Sequence, residues 1–284
     1  PFKGLFTQGM VCHETYKNSE NKWLSPEEIT KEENGEIIQK STGKKVVVGA
    51  SEAMSKSKKN IIDPESMIKI YGADAVRLFI LSDSPPDKDI QWSNQGVNAS
   101  YKFLQKIWNL NKLIIERVDK KSSKEIEEKL NIEFNNYIFK ITNLIENFSL
   151  NVVVANVYEI YHLINSYIPK NISNDCLKRI IVKFMQMLIP FTPHLASECL
   201  EILGDPKFNN WPEFDKKLIK KQSVKIAIQI NGKTREIIEI EKDTSEKEVV
   251  QISRNNDKIS KNLIDKKIFK TIFVKNKIIN YLTK

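Results

Sequence analysis

The chain has 284 residues, 40% of them hydrophobic, and a formal charge of +9 from 45 basic and 36 acidic side chains. That length holds two or three small domains with cores of their own, and no run approaches the roughly eighteen apolar residues that a membrane span needs. Three scattered cysteines (Cys12, Cys176, Cys199), none in a CxxC pair, fit neither a disulfide framework nor a zinc knuckle.

The positive charge favours an anionic partner such as nucleic acid, although a lysine-rich composition alone would raise it. The chain opens at Pro1 without a basic-then-apolar leader, so no secretion signal is expected. The start reads as processed, or as a point inside a longer polypeptide. A reducing, cytoplasmic setting is expected, with no membrane partner.

Two short apolar runs open the chain, "GLFTQGMV" from Gly4 and "KKVVVGA" from Lys44, and both have strand character. The polar stretch between them, Tyr16 to Lys45, reads as a surface insertion. Next comes "ASEAMSKSKKNIIDP", Ala50 to Pro64. Lys56, Lys58 and Lys59 cannot all be buried, so they face solvent or a ligand. Ser55 and Ser57 offer hydroxyls, and Met54 can anchor the loop to a core. A mobile cationic loop between a strand and a helix suits a polyphosphate leaving group, over which ammonium groups can close as charge builds. A solvated lysine loop is the plainer reading, and on residue types alone it is preferred.

Asp63 caps a helix with Pro64 at its first position, and Gly72 ends it. A second helix, "ADAVRLFILS", stops before Pro85-Pro86. Arg77 on that helix is expected to pair with Asp74.

From Gly96 to about Leu203 the pattern is helical. Leu130, Phe134, Tyr137, Ile141, Leu144 and Phe148 form one stripe, Val153, Val157, Ile160 and Ile164 a second, and Leu177, Ile181, Phe184 and Leu188 a third. Four or five such helices with short connections make an antiparallel bundle. Their aromatics, with Trp92 and Trp108, read as packing residues. His13, His162 and His194 have no Ser, Cys or carboxylate partner at a telling spacing and read as structural.

After "NNWPEFD" the period becomes alternating. "SVKIAIQING" and "KTREIIEIEKD" flank Asn231-Gly232, a pair that supplies the positive φ angles of a tight hairpin. Thr244 or Ser245 opens a helix, and "KIFKTIFVKNKIINYL" returns to strand, giving a small β-β-α-β domain from about Lys221. Lys233 and Arg235 follow the turn, placed for RNA contact or for simple solvation.

"MSKSK" resembles the KMSKS loop of class I aminoacyl-tRNA synthetases, and "NIIDPESMIKIYGADAVRLFILS" resembles the segment that follows that loop. "FTQGMV", the polar insertion and "SPPDKDIQWSNQGVNASYKFLQKIWNL" look like the leucyl-tRNA synthetase family of the bacterial type. "PFTPHLASE" resembles a bundle motif shared by the leucine, isoleucine and valine enzymes, and "VKIAIQINGKTREIIEI" resembles the leucine enzyme's small C-terminal domain. The resemblance covers nearly all of the chain and departs from the family at two places. Ala53 stands where the motif's first lysine is expected, and Glu236 stands where relatives often carry glycine, which puts acid on a surface expected to face RNA. No HIGH-type element and no editing domain occur, so the chain looks like the C-terminal third of such an enzyme.

The resemblance implies an α/β remnant of a Rossmann-type catalytic domain, an all-α bundle and a small C-terminal α+β domain. Residues 1–52 would end the catalytic domain, with the insertion at about 16–45. Residues 53–95 would hold the loop and connecting helices, 96–215 the anticodon-binding-type bundle, and 221–284 a tRNA-binding domain. It implies ATP with Mg2+, leucine and tRNA(Leu) as partners, and an N-terminal half present in cis or as a separate subunit. Lys56 would be catalytic; Ala53, Met54, Ser55, Ser57 and Lys56 would meet ATP; Lys233 and Arg235 would meet tRNA. No metal ligands are expected. A non-catalytic tRNA-binding module is one alternative; an isoleucine or valine enzyme fragment is another, and the absence of a terminal cysteine cluster argues against the isoleucine enzyme.

Overall fold

A computed structural model describes residues 4–205, 210–219, 223–263 and 266–284. The expected domain edges at residues 1 and 221 lie outside those. The chain divides into two compact units, Pro1–Leu218 and Ile219–Lys284, so the α/β segment and the helical bundle share one unit.

The first unit opens with β1 (Val11–Lys17), β2 (Trp23–Leu24), the hairpin strands β3 (Ile29–Lys31) and β4 (Ile37–Gln39), and β5 (Val47–Ala53). β1 pairs antiparallel with β2 and β5, with a bulge between Glu14 and Tyr16. It pairs in parallel with the two-residue β6 (Ile90–Gln91). The expected first strand is corrected here: residues 4–10 form none, and the strand starts at Val11. Instead Gly9 N–H donates to Pro86 O at 2.9 Å, and Met10 N–H donates to Asp89 Oδ1 at 2.8 Å. The insertion holds its own hairpin, with Ile29 opposite Gln39.

α1 (Pro64–Tyr71) begins as its sequence dictates. Asp63 accepts from the N–H groups of Glu65 and Ser66, and Gly72 ends the helix at φ 79°. α2 (Ala73–Asp83) follows at once. Its residues Ala75 and Leu78 join the bundle core, whereas Phe79 joins a smaller cluster with Ile90, Trp92 and Val97. One short helix therefore ties the α/β part to the bundle.

The bundle comprises α3 (Asn94–Glu116), α4 (Lys124–Glu146), α5 (Leu150–Tyr167), α6 (Asn174–Leu188) and α7 (Pro193–Ile202). The second and third stripes are fully buried, each side chain contributing about 1.5–3 kcal/mol against exposure. The first stripe needs one correction. Leu130, Phe134, Ile138 and Ile141 form the buried row, Tyr137 sits beside it, and Phe148 lies past the helix end, 53% exposed and at φ 53°.

The second unit is a four-stranded sheet in the order β8-β7-β10-β9. β7 (Ser223–Ile230) and β8 (Lys233–Glu241) meet at Asn231-Gly232, whose φ angles are 49° and 78°. α8 (Glu246–Arg254) starts at Ser245, which forms a capping box with Glu248, and α9 (Asp257–Leu263) follows. The final segment makes two strands, not one: β9 (Ile268–Val274) and β10 (Ile278–Thr283), joined at Asn276 with φ 61°. β10 runs parallel to β7 and closes the sheet around Ile226, Ile228, Ile279 and Tyr281.

Candidate active-site loop

The loop leaves β5 at Ala53 and returns at Asp63. Asn60, fully buried, holds its base. The Asn60 side-chain N–H groups donate to His13 O and Glu52 O, both at 3.2 Å, and to Ala53 O at 3.5 Å. Asn60 Oδ1 accepts from Ser55 N–H at 2.8 Å. One amide thus pins both ends of a six-residue turn to the strands beneath it. Met54 packs against the cluster of Phe79, Ile90, Trp92 and Val97, beside Ile62 and Met67. Ser55 and Ser57 place their hydroxyl oxygens 3.3 Å apart, and Lys59 takes a left-handed conformation at φ 54°.

The three lysines are not equivalent. Lys58 pairs with Glu52, and Lys59 reaches Glu28 Oε2 at 3.3 Å. Lys56 is exposed and makes no ion pair among the described residues. Ala53, Met54, Ser55, Lys56 and Ser57 are thus together on one turn. Lys233 and Arg235 lie in the other unit, exposed on the hairpin.

Sequence reasoning missed Asn60, since a single Asn among polar loop residues carries no periodic or spacing signal. It also placed Arg77 wrongly. Arg77 Nε donates to Phe191 O at 3.2 Å and Nη2 to Pro190 O at 2.8 Å. Asp74 instead accepts from Leu195 N–H at 2.7 Å and meets His194 Nδ1 at 2.9 Å. His194 therefore does have a carboxylate partner, far away in sequence. His13 is buried, and burial lowers its pKa. Glu236 does not burden the outer sheet face. It is opposite the buried Ile228 and pairs with Lys258 of α9 at 2.8 Å, and the hydrogen bond from Lys258, with that from the Ile237 N–H, lowers its pKa.

Among the described residues no group of three or more His, Cys, Asp or Glu side chains could hold a metal. No helix among them is long and apolar enough to cross a membrane.

Two family models match, one over the strand–loop–helix around Lys56 and one from α4 through the rest of the bundle into α8 of the second unit. Residues 36–93 match tRNA synthetases class I (I, L, M and V), and residues 127–251 match the anticodon-binding domain of tRNA ligase. The chain is similar over nearly its whole length to the C-terminal portion of leucine–tRNA ligases. It is 42% identical over 286 residues to the Rickettsia bellii enzyme, covering 99% of this chain and 34% of that one. It is 37% identical to the Zymomonas mobilis enzyme over 283 residues, covering 99% and 32%. The chain thus spans about a third of the length of the curated relatives it matches. In fold it is similar to a solved Agrobacterium radiobacter K84 AgnB2 LeuRS from a ternary LeuRS–tRNA–LeuAMS complex. That match has a TM-score of 0.55 and 22% identity, and covers 82% of this chain and 31% of the other.

Proposed function

We propose that the chain is the C-terminal part of a leucine–tRNA ligase, and that Lys56 is its contribution to the chemistry. The observation that carries this is the unequal tethering of the lysines. Glu52 and Glu28 hold Lys58 and Lys59, which leaves Lys56 available at the tip of the turn that Asn60 holds.

In the intact enzyme, the leucine carboxylate attacks the α-phosphate of ATP, and the bond to pyrophosphate breaks. The 2′-hydroxyl of the terminal adenosine of tRNA(Leu) then attacks the adenylate carbonyl and expels AMP. Lys56 meets the charge that grows on the pyrophosphate side of the first step. The hydroxyls of Ser55 and Ser57 and the backbone from Ala53 to Ser57 line the same side, and Met54 fixes the turn to the core. ATP enters with Mg2+, which offsets part of its phosphate charge when bound.

The region of the relatives that this chain does not span would complete the nucleotide site, in cis or as a separate subunit. The exposed apolar side chains of the α/β part support this, since Val47, Val48, Leu5 and Met10 all face solvent. The finer arrangement we infer is a catalytic-domain end, a bundle and a terminal module. The last two would hold tRNA mostly by backbone and shape, with Lys233 and Arg235 among the contacts.

The test is leucine-dependent exchange of pyrophosphate into ATP. The chain alone should give none, and addition of the N-terminal part should restore it. Robust exchange by the chain alone would contradict the proposal.

A further inference from the structure

The outer face of α3 differs from the rest of the bundle surface. Tyr71, Tyr101, Gln105, Trp108 and Asn109, with Leu195, line an open groove of about 510 Å³, within the range of small-ligand sites. Tyr71 and Tyr101 meet edge to face, with ring centroids 6.0 Å apart, and Tyr101 is 36% exposed. The side-chain amides of Gln105 and Asn109, four residues apart on the exposed side of the helix, hydrogen-bond to no group among the described residues.

Charge surrounds the groove unevenly. Lys112 continues the Tyr101–Gln105–Trp108 row one turn further, and Lys102 and Lys106 form the adjoining row. None of the three makes an ion pair among the described residues, although nine other lysines among those residues do. The helix carries no acidic residue before its last position, Glu116.

We propose that this groove takes one unstacked nucleobase of the tRNA, while Lys102, Lys106 and Lys112 follow the phosphate backbone on either side. The inference rests on the tRNA reading above and adds a base-binding site to it. An aromatic wall offers a π face to any base. The two free amides present both donors and acceptors to a base edge, and the unpaired ammonium groups give up only water and counterions on meeting phosphate.

The test uses the 284-residue chain and a tRNA(Leu) transcript, with affinity measured by filter binding across a salt series. Tyr101→Ala combined with Gln105→Ala should weaken binding about tenfold or more while leaving the salt slope in place. Tyr101→Phe, which keeps the π face, should bind within about twofold or threefold of the parent. Lys102→Ala combined with Lys106→Ala should flatten the salt slope by about 0.7–0.9 log units per lost contact. These are exposed positions, and circular dichroism checks that each variant folds. If the parent chain binds and all variants match it in affinity and slope, the inference is overturned, and the groove belongs to a protein contact while the tRNA reading stands. If the parent chain fails to bind tRNA at all, both fail.

Discussion

The Asp74 carboxylate accepts a 2.7 Å hydrogen bond from the backbone N–H of Leu195, 121 residues further along the chain. Leu195 is the third residue of α7, and Thr192, at the N-cap position, makes no side-chain cap. Asp74 therefore caps α7 from another helix. Three residues on, Arg77 binds the carbonyls of Pro190 and Phe191 at the other end of the same turn. The two side chains grip the "PFTPHL" turn from both sides, and α2 also supports the loop cluster through Phe79.

Removing this grip should cost stability at once. Asp74→Ala leaves the Leu195 N–H without its acceptor and should lower unfolding free energy by about 1–2 kcal/mol, the range of a lost cap. Arg77→Ala should cost a similar amount. The double variant should lose less than the sum, because both hold one turn. Urea midpoints measure all three; strict additivity would show two independent contacts.

The legible parts of the fold were those with local causes. Asp63-Pro64 and Gly72 delimit α1, Asn231-Gly232 sets the hairpin, and Ser245 with Glu248 starts α8, each within a few residues. The partners of Arg77 are 113 and 114 residues away, and no spacing on its own helix could reveal them. β1 was misplaced because its partners, β5 and β6, decide where pairing begins. The β9–β10 turn uses Asn276 at positive φ with no glycine beside it, so the segment reads as one continuous strand. In the loop, the residue types of Lys56, Lys58 and Lys59 were legible and their inequality was not. Glu28, the partner of Lys59, lies 31 residues upstream.

Asn60 should behave as the keystone of the loop. Asn60→Ala removes donors to three carbonyls and the acceptor for Ser55 N–H, and should destabilise the chain by about 1–3 kcal/mol. It should also speed tryptic cleavage between Lys56 and Lys59. Asn60→Asp should be worse, since a carboxylate would face the carbonyls of His13, Glu52 and Ala53. Unchanged cleavage in Asn60→Ala would show that the turn holds itself.

Acid should loosen the bundle at Glu127. Ser122 and Ser173 donate to its carboxylate, and these bonds lower its pKa from 4.5. A carboxyl whose pKa falls on folding binds fewer protons in the native state. Its contribution is therefore full above about pH 4.5 and is lost as pH falls through the lowered value. Glu127→Gln should flatten the decline in thermal midpoint below about pH 4.5. An identical acid limb in both proteins would remove Glu127 from the account.

Deleting the second unit after Leu218 in the complete enzyme should separate the two reactions. tRNA charging should fall strongly, and leucyl adenylate formation should stay nearly unchanged. tRNA binding by the intact protein should weaken with salt by about 0.7 log units per tenfold for each single-strand-like phosphate contact. Equal loss of both reactions would mark the unit as a structural support.

The central claim is that one lysine of the loop acts on phosphate while its neighbours are held by carboxylates. Its most direct test is the single-turnover rate of adenylate formation in the complete enzyme, for Lys56→Ala beside Lys58→Ala and Lys59→Ala. Lys56→Ala should slow the step by about a hundredfold or more, the scale of losing one preorganised donor. Leucine affinity should change little, since the charge it meets appears only in the transition state. The other two variants should stay within about tenfold of the parent. A silent Lys56→Ala, or three equal losses, would contradict the account.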